Sequence, residues 1–166
     1  MSVPDFILEL RAHVGNSHLW VPGCTGVVLR KPSDDPQSPA AETEVLIVRR
    51  ADDGRWTPVT GIIDPGEEPA VACVREVLEE AAVVARPIRV LSTEVVGPVT
   101  YPNGDVSSYL DTSFLLEWVS GEPYPADGEN TEAKFVPVSQ LPPMNERFER
   151  VIARALGGEP HAWFRT

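Results

Sequence analysis

Apolar positions recur along this chain with two different periods, and the switches between them outline its elements. Phe6, Ile7, Leu10 and Val14 follow at helical spacing and predict a short amphipathic helix from Asp5 to His13. Leu19 to Arg30 is β-branched and apolar and reads as a strand. Lys31 to Thr43 mixes Pro with Ser, Asp and Gln and reads as a loop, because the apolar pattern resumes at once in Glu44-Val45-Leu46-Ile47-Val48. Asp52-Asp53-Gly54 signals a tight turn, and Trp56 to Val59 leads away from it. Pro69 to Val84 carries the strongest helical pattern: proline suits a first turn that needs no donor, and Pro87 requires the helix to have ended. Ile88 to Thr100 and Val106 to Val119 read as long strands joined by the turn Pro102-Asn103-Gly104-Asp105. In the second, Val106, Leu110, Phe114, Leu116 and Trp118 alternate onto one face. Gly121 to Asn130 is an acidic loop and Phe135 to Val138 a short strand. Phe148, Val151, Ile152, Ala155 and Leu156 mark a final helix. Strands interrupted by one helix and closed by another predict an α+β fold rather than a doubly wound parallel sheet.

Composition narrows the function. A chain of 166 residues, 42% of them hydrophobic, suits one domain spanning residues 1–166 with a packed core. Its formal charge of −11 repels nucleic acid and anionic membranes, so no duplex nucleic acid and no membrane is expected as partner. A phosphorylated substrate would be repelled too, unless cations mediate the contact. No apolar run is long enough to cross a bilayer, and Met1-Ser2-Val3-Pro4-Asp5 lacks the opening of a signal peptide. Cys24 and Cys73 have no metal-ligand spacing and read as reduced core thiols of a cytoplasmic protein.

The central helix carries the candidate chemistry. On a wheel with Glu76 at zero, Glu79 falls at about 300° and Glu80 at about 40°. Val71, Val74, Val77, Leu78 and Ala81 fall between about 100° and 220°. The wheel therefore expects the apolar stripe on the core and the carboxylates facing away, with small Ala72 leaving room between them for something to dock. Two carboxylates 6 Å apart repel by roughly 3 kcal/mol at an effective dielectric of 20. The C-terminal half of a helix also disfavours anions. A hard divalent cation resolves both, because oxygen ligands at this spacing suit Mg²⁺.

The spacing goes further. Gly61-x5-Glu67-x7-Arg75-Glu76-Val77-Leu78-Glu79-Glu80-Ala81-Ala82-Val83 resembles the Nudix box, Gly-x5-Glu-x7-Arg-Glu-U-x-Glu-Glu-x-Gly-U with U aliphatic, at eight of nine specified positions. A looser resemblance runs from about Leu19 to the final helix. Two departures stand out. Ala82 replaces the late glycine that helps end the helix, so the helix is expected to run on toward Val84. Upstream, Trp56-Thr57-Pro58-Val59-Thr60-Gly61 stands where many relatives have Trp-x-x-Pro-Gly-Gly.

The resemblance implies a mixed sheet sandwiched by helices, α/β/α. It also implies hydrolysis of a nucleoside diphosphate linked to a group X, such as ADP-ribose, a nucleotide sugar or a (d)NTP, with release of a nucleoside monophosphate. On matching positions Glu79 and Glu80 look like the main Mg²⁺ ligands, with Mn²⁺ as a substitute. Glu76 looks like a further ligand or the residue orienting water, and the Gly61 carbonyl like an additional ligand. Arg75 and Glu67 resemble the family's internal ion pair. Glu129 and Glu132 are rivals to Glu76 as general base. Arg49, Arg50 and Arg55 are candidates for phosphates that the metal leaves uncovered. Tyr101, Tyr109 and Trp118 are candidates to stack on a base, though packing is the plainer reading. Many relatives are homodimers, and the N-terminal helix is a candidate interface. Two alternatives stay open: a nucleotide sensor that does not hydrolyse, and an isoprenyl diphosphate isomerase using Cys24 or Cys73.

Overall fold

The computed structural model describes residues 3–31 and 42–166, so the predicted loop from Lys31 to Thr43 lies almost wholly outside the described residues. Along the chain come α1 (Asp5–Val14), β1 (Leu19–Arg30), β2 (Glu44–Arg50), β3 (Trp56–Thr57) and β4 (Val59–Ile62). Then follow α2 (Pro69–Ala81), β5 (Val84–Thr100), β6 (Val106–Ser120) and β7 (Asn130–Pro137). A 3-10 turn (Val138–Gln140), α3 (Glu146–Leu156) and β8 (Trp163–Phe164) close the chain. Among the described residues no helix is long and apolar enough to cross a membrane.

Strand β1 organises the sheet. It runs parallel to β6 from Leu19–Ser107 to Leu29–Glu117. On its other edge the middle of the strand, from Gly23 to Gly26, pairs antiparallel with β4, Cys24 opposite Gly61, and the last residues pair with β2. Beyond β6 lie β5 and β8, and β2 is flanked by β3 and β7. From Gly23 to Leu29 every residue of β1 is buried, as a strand covered on both faces must be. One face packs Val28, Leu46 and Leu116 against Val77 of α2. The other packs Val27, Ile47 and Leu91 against Val151 and Ile152 of α3. Each fully buried aliphatic side chain contributes about 1.5–3 kcal/mol. The expected α/β/α sandwich with a mixed sheet is therefore the fold.

Four expectations are corrected. First, α2 is rotated relative to the wheel. Its buried residues are Ala72, Cys73, Val77, Glu80 and Ala81, whereas Val71 is 58% and Leu78 50% exposed. The reason is close approach. At Gly26 a Cβ would stand 3.0 Å from Cys73 Sγ and 3.2 Å from Val77 Cγ2, so the helix presses its small residues onto β1. Ala72 is core, not a docking space. Second, α2 stops at Ala81. Ala82 takes the left-handed conformation (φ 55°, ψ 28°) that glycine would favour, and its N–H donates to Leu78 O. The segment after β6 caps this end, with Tyr124 N–H on Ala81 O and Ala126 N–H on Glu80 O.

Third, Leu110 does not join its alternation partners in the core and is 39% exposed, while Phe114 and Leu116 are buried beneath α2. Fourth, two strands are longer than the apolar pattern suggests. β5 begins at Val84 and absorbs Pro87 at an irregularity between Pro87 and Arg89, and β7 begins at Asn130 instead of Phe135. The two-residue β8 had no periodic signal at all.

Candidate active site

The site forms where α2 crosses β4. Gly61 on β4 faces Glu76: a Cβ there would lie 2.2 Å from both Cγ and Cδ of that glutamate. Only glycine lets the carboxylate lie down against the strand. Glu76 is thus turned inward, with 16% of its side chain exposed, and burial pushes its carboxyl up to about 7. The Arg75 charge opposes that rise, while Glu79 and Glu129 reinforce it.

Arg75 is the hub. Its Nε and Nη2 each donate to one carboxylate oxygen of Glu67 over 2.9 Å, a bidentate pair. Its Nη1 donates to Glu76 Oε1 over 3.0 Å and to Glu79 Oε2 over 3.1 Å. Nη2 also reaches the Ile62 carbonyl. The guanidinium holds Glu67 below the usual carboxylate range, and Glu67 raises Arg75 in return. Glu79 remains half exposed.

Glu80 lies deepest, 5% exposed. Its Oε2 accepts from Asn130 Nδ2 over 2.9 Å. Burial pushes its carboxyl up to about 8, with Glu76, Glu129 and Asp127 adding to the rise against the Asn130 hydrogen bond. The wheel missed this inward turn. The acids do not converge: Glu76 and Glu79 point at Arg75, and Glu80 at Asn130. Among the described residues no three His, Cys, Asp or Glu side chains stand together as a cation cage. The donor chemistry nevertheless suits a hard divalent ion, being all oxygen and carrying carboxylates whose charge is poorly solvated.

The outer candidates separate. Glu129 stands in the field of Glu76 and Glu80, and its carbonyl accepts from Ala51 N–H. Glu132 is elsewhere: on β7 it faces Arg49 of β2, pairing with Arg49 Nη1 at 3.0 Å and with Lys134 at 3.6 Å. Arg49 and Glu132 therefore engage each other rather than the acids. Arg50 pairs with Asp52 and Asp53, and Arg55, 74% exposed, with Asp53. Arg50 lines a cavity of about 800 Å³ that opens beside Gly61. Arg50 and Arg55 also share an adjoining hollow of about 550 Å³. Trp118 is a packing residue, its Nε1 donating to Gly121 O, whereas Tyr101 and Tyr109 face the large cavity. Cys24 and Cys73 are both buried, and their mutual contact raises Cys24 strongly.

Three groups escaped the sequence reading. Asn130 gave no signal, being one polar residue at the end of a polar loop. Asp111 did give one, a charge amid a long apolar strand. It is 5% exposed and accepts from Thr25 Oγ1 and Ser113 Oγ, each at 2.8 Å. Arg147, in the first turn of α3, closes this network at 3.1 Å from Asp111 and borders the cavity beside Gly61.

Comparison with known proteins shows the family of the chain. A family model for the NUDIX domain matches residues 35–156. The NAD-capped RNA hydrolase NudC of Vibrio cholerae serotype O1 is 32% identical over 117 residues, which make up 69% of this chain and 40% of that protein. The NudC of Pseudomonas aeruginosa strain LESB58 is 33% identical over 115 residues, 68% of this chain and 38% of that one. The chain thus spans about two-fifths of the length of these curated relatives. A UDP-X diphosphatase superposes with TM-score 0.64 at 14% identity, covering 97% of this chain and 74% of the other. An ADP-ribose pyrophosphatase from Streptococcus suis superposes with TM-score 0.60 at 19% identity, covering 87% and 97%. At such identities the likeness bears on the fold.

Proposed function

The chain belongs to the NUDIX domain family, and on that premise we propose that it hydrolyses the phosphoanhydride of a nucleoside diphosphate joined to a second group. The observation that carries this reading is the fit of Glu76 over Gly61, with Arg75 pinning Glu67, Glu76 and Glu79 around it. Glu76, Glu79, Glu80 and the Gly61 carbonyl are the residues that would hold Mg²⁺, or Mn²⁺ in its place. When bound, the ion supplies neutralisation of phosphate oxygens and activation of water.

The chain's own residues do the rest. Glu67 fixes Arg75, and Arg75 holds Glu76 and Glu79 on one side of the helix, from which they must turn to share an ion with Glu80. Asn130 anchors Glu80. Glu76 is either a further ligand or the residue that orients the attacking water, and Glu129, which stands in its field, is its rival as general base. Arg50, Arg55 and Arg147 border the cavities, which supports one of them meeting phosphate oxygens in exchange for its acidic partner.

The substrate class rests on chemistry that several similar proteins share by name. NudC is named for NAD-capped RNA, and two structural neighbours for UDP-X and ADP-ribose. Each joins two groups through a diphosphate. A net charge of −11 opposes a long polyanion, so a free dinucleotide or nucleotide sugar is preferred here.

The test is a Mg²⁺-dependent panel of ADP-ribose, NAD, nucleotide sugars, dinucleoside polyphosphates and (d)NTPs, with products identified by mass spectrometry. Glu79→Gln and Glu80→Gln should each lower the rate by about a hundredfold. Mutants as fast as wild type would remove these residues from the metal site, and tight binding without turnover would favour the sensor.

A further inference from the structure

The two faces of the sheet are unequally covered. On one lie α1, through Ile7 against Val21, and α3, through Val151 and Ile152 against Val27 and Leu91. On the other lies α2, over Phe114, Leu116 and Val90. Toward the start of β1 this second face has no helix over it among the described residues, and three cross-strand rows run there. Phe164, Thr93 and Thr112 pair in the first, Val95, Leu110 and Pro22 in the second, Ser108 and Trp20 in the third. Trp163 packs with Arg154 of α3 on the covered face, so its neighbour Phe164 points to the open one. Phe164 is 67% exposed, Val95 65%, Trp20 59% and Leu110 39%, with Pro22 exposed beside them. None of the residues in these rows is charged. The patch is also symmetric about its middle. Phe164 lies one strand outward from Val95 and one row to one side; Trp20 lies one strand outward from Leu110 and one row to the other. With about 4.8 Å between strands and 6.8 Å between rows, the two rings stand about 14 Å apart both across the strands and along them.

We propose that a second copy of this chain docks on this face. The twofold axis passes the Val95–Leu110 pair and crosses the Phe164–Trp20 diagonal at right angles. That rotation sets Phe164 of each copy against Trp20 of the other, the reciprocity that a twofold interface requires. The diagonal runs at about 45° to the strands, so the two sheets cross at about 90°, one of the two arrangements in which sheet faces pack. Aromatic side chains offer about 150–250 Å² each, so Phe164 and Trp20 leave roughly 250 Å² per copy for contact. With the three smaller residues and a rim of Thr93 and Thr112, two copies together bury about 1,000 Å², where specific interfaces begin. Charge selects the partner. Two chains of net charge −11 repel, and a patch without carboxylates is where they approach with least repulsion. A basic partner would find no acid in these rows to hold. The N-terminal helix, the candidate interface from the sequence, packs on the opposite face. This contact is independent of the chemistry at Glu76.

The experiment is sedimentation equilibrium on the full chain from about 1 to 500 μM, a range that covers a small interface of this kind. The wild type should form a dimer within it. Val95 is 65% exposed, so charged substitutions there leave the fold intact. Val95→Glu and Val95→Lys should each be monomeric, because like charges then meet at the axis. Their equimolar mixture should recover a dimer, which misfolded chains cannot do. Trp20→Ala should weaken the dimer at least about tenfold. A wild type that stays monomeric at the highest concentration overturns the contact and leaves the face to another occupant. A dimer that persists in both Val95 variants, a mixture that fails to pair, or Trp20→Ala dimerising as tightly as the wild type overturns it equally. So does a dimer lost in Leu8→Glu, on the exposed side of α1, but kept in the Val95 variants.

Discussion

Asn130 donates its side-chain amide to Oε2 of Glu80 over 2.9 Å, and both residues are almost wholly out of water. The contact joins the start of β7 to the last turn of α2. It fixes the one box carboxylate that Arg75 does not hold. Partners of this kind orient a ligand without touching the ion. Asn130→Ala should therefore weaken Mg²⁺ affinity by about 10- to 100-fold in calorimetry. Metal affinity equal to wild type would show that Glu80 needs no such anchor.

Gly61→Ala places a methyl group 2.2 Å from the Glu76 side chain. The strain should cost about 1–3 kcal/mol in denaturant unfolding. Displacing Glu76 should cut kcat/KM by about a hundredfold. Adding Glu76→Ala to Gly61→Ala removes the clash, so the double variant should regain stability and not activity. Additive stability losses in that cycle would show that the two residues do not compete for the same space.

The acids also set a pH dependence. In the metal-free protein burial pushes the Glu76 carboxyl up to about 7 and that of Glu80 up to about 8, against an ordinary value of 4.5. Between 4.5 and 8 the folded state then holds protons that the unfolded chain has lost. Stability must fall as pH rises through that window and level off above it. Glu67 and Glu94, which the fold holds low beside arginines, act the other way but only below about 4.5, so they do not mask the slope. Melting temperatures in EDTA should decline from pH 5 to pH 8.5, and Mg²⁺ should flatten the decline by replacing the protons. A flat profile in EDTA would mean that these carboxyls stay ionised without metal.

Ala82→Gly tests the helix end. A non-glycine residue at φ 55° carries a penalty of about 1–2 kcal/mol. Glycine removes it while adding unfolded-state freedom, for a net gain of about 0.5–1 kcal/mol in urea unfolding at an unchanged m-value. Turnover should not change, because the acids precede this residue. A loss of stability would mean that the methyl group makes packing contacts worth more than the strain.

The sequence by itself settled what depends on near neighbours. Periodicity placed the long strands and the three helices, and the box from Gly61 to Val83 identified the family, whose resemblance in turn implied the Arg75–Glu67 pair. What it left undetermined depends on how α2 meets the sheet. An isolated wheel sends Glu76 and Glu80 outward, and only the close approach permitted at Gly26 and Gly61 turns them in. Nothing local could say that Glu132 would face Arg49 while Asn130 reaches Glu80. That choice belongs to the β2–β7 register and its shift at Arg49–Arg50, a pairing between distant segments that forms only when the sheet does.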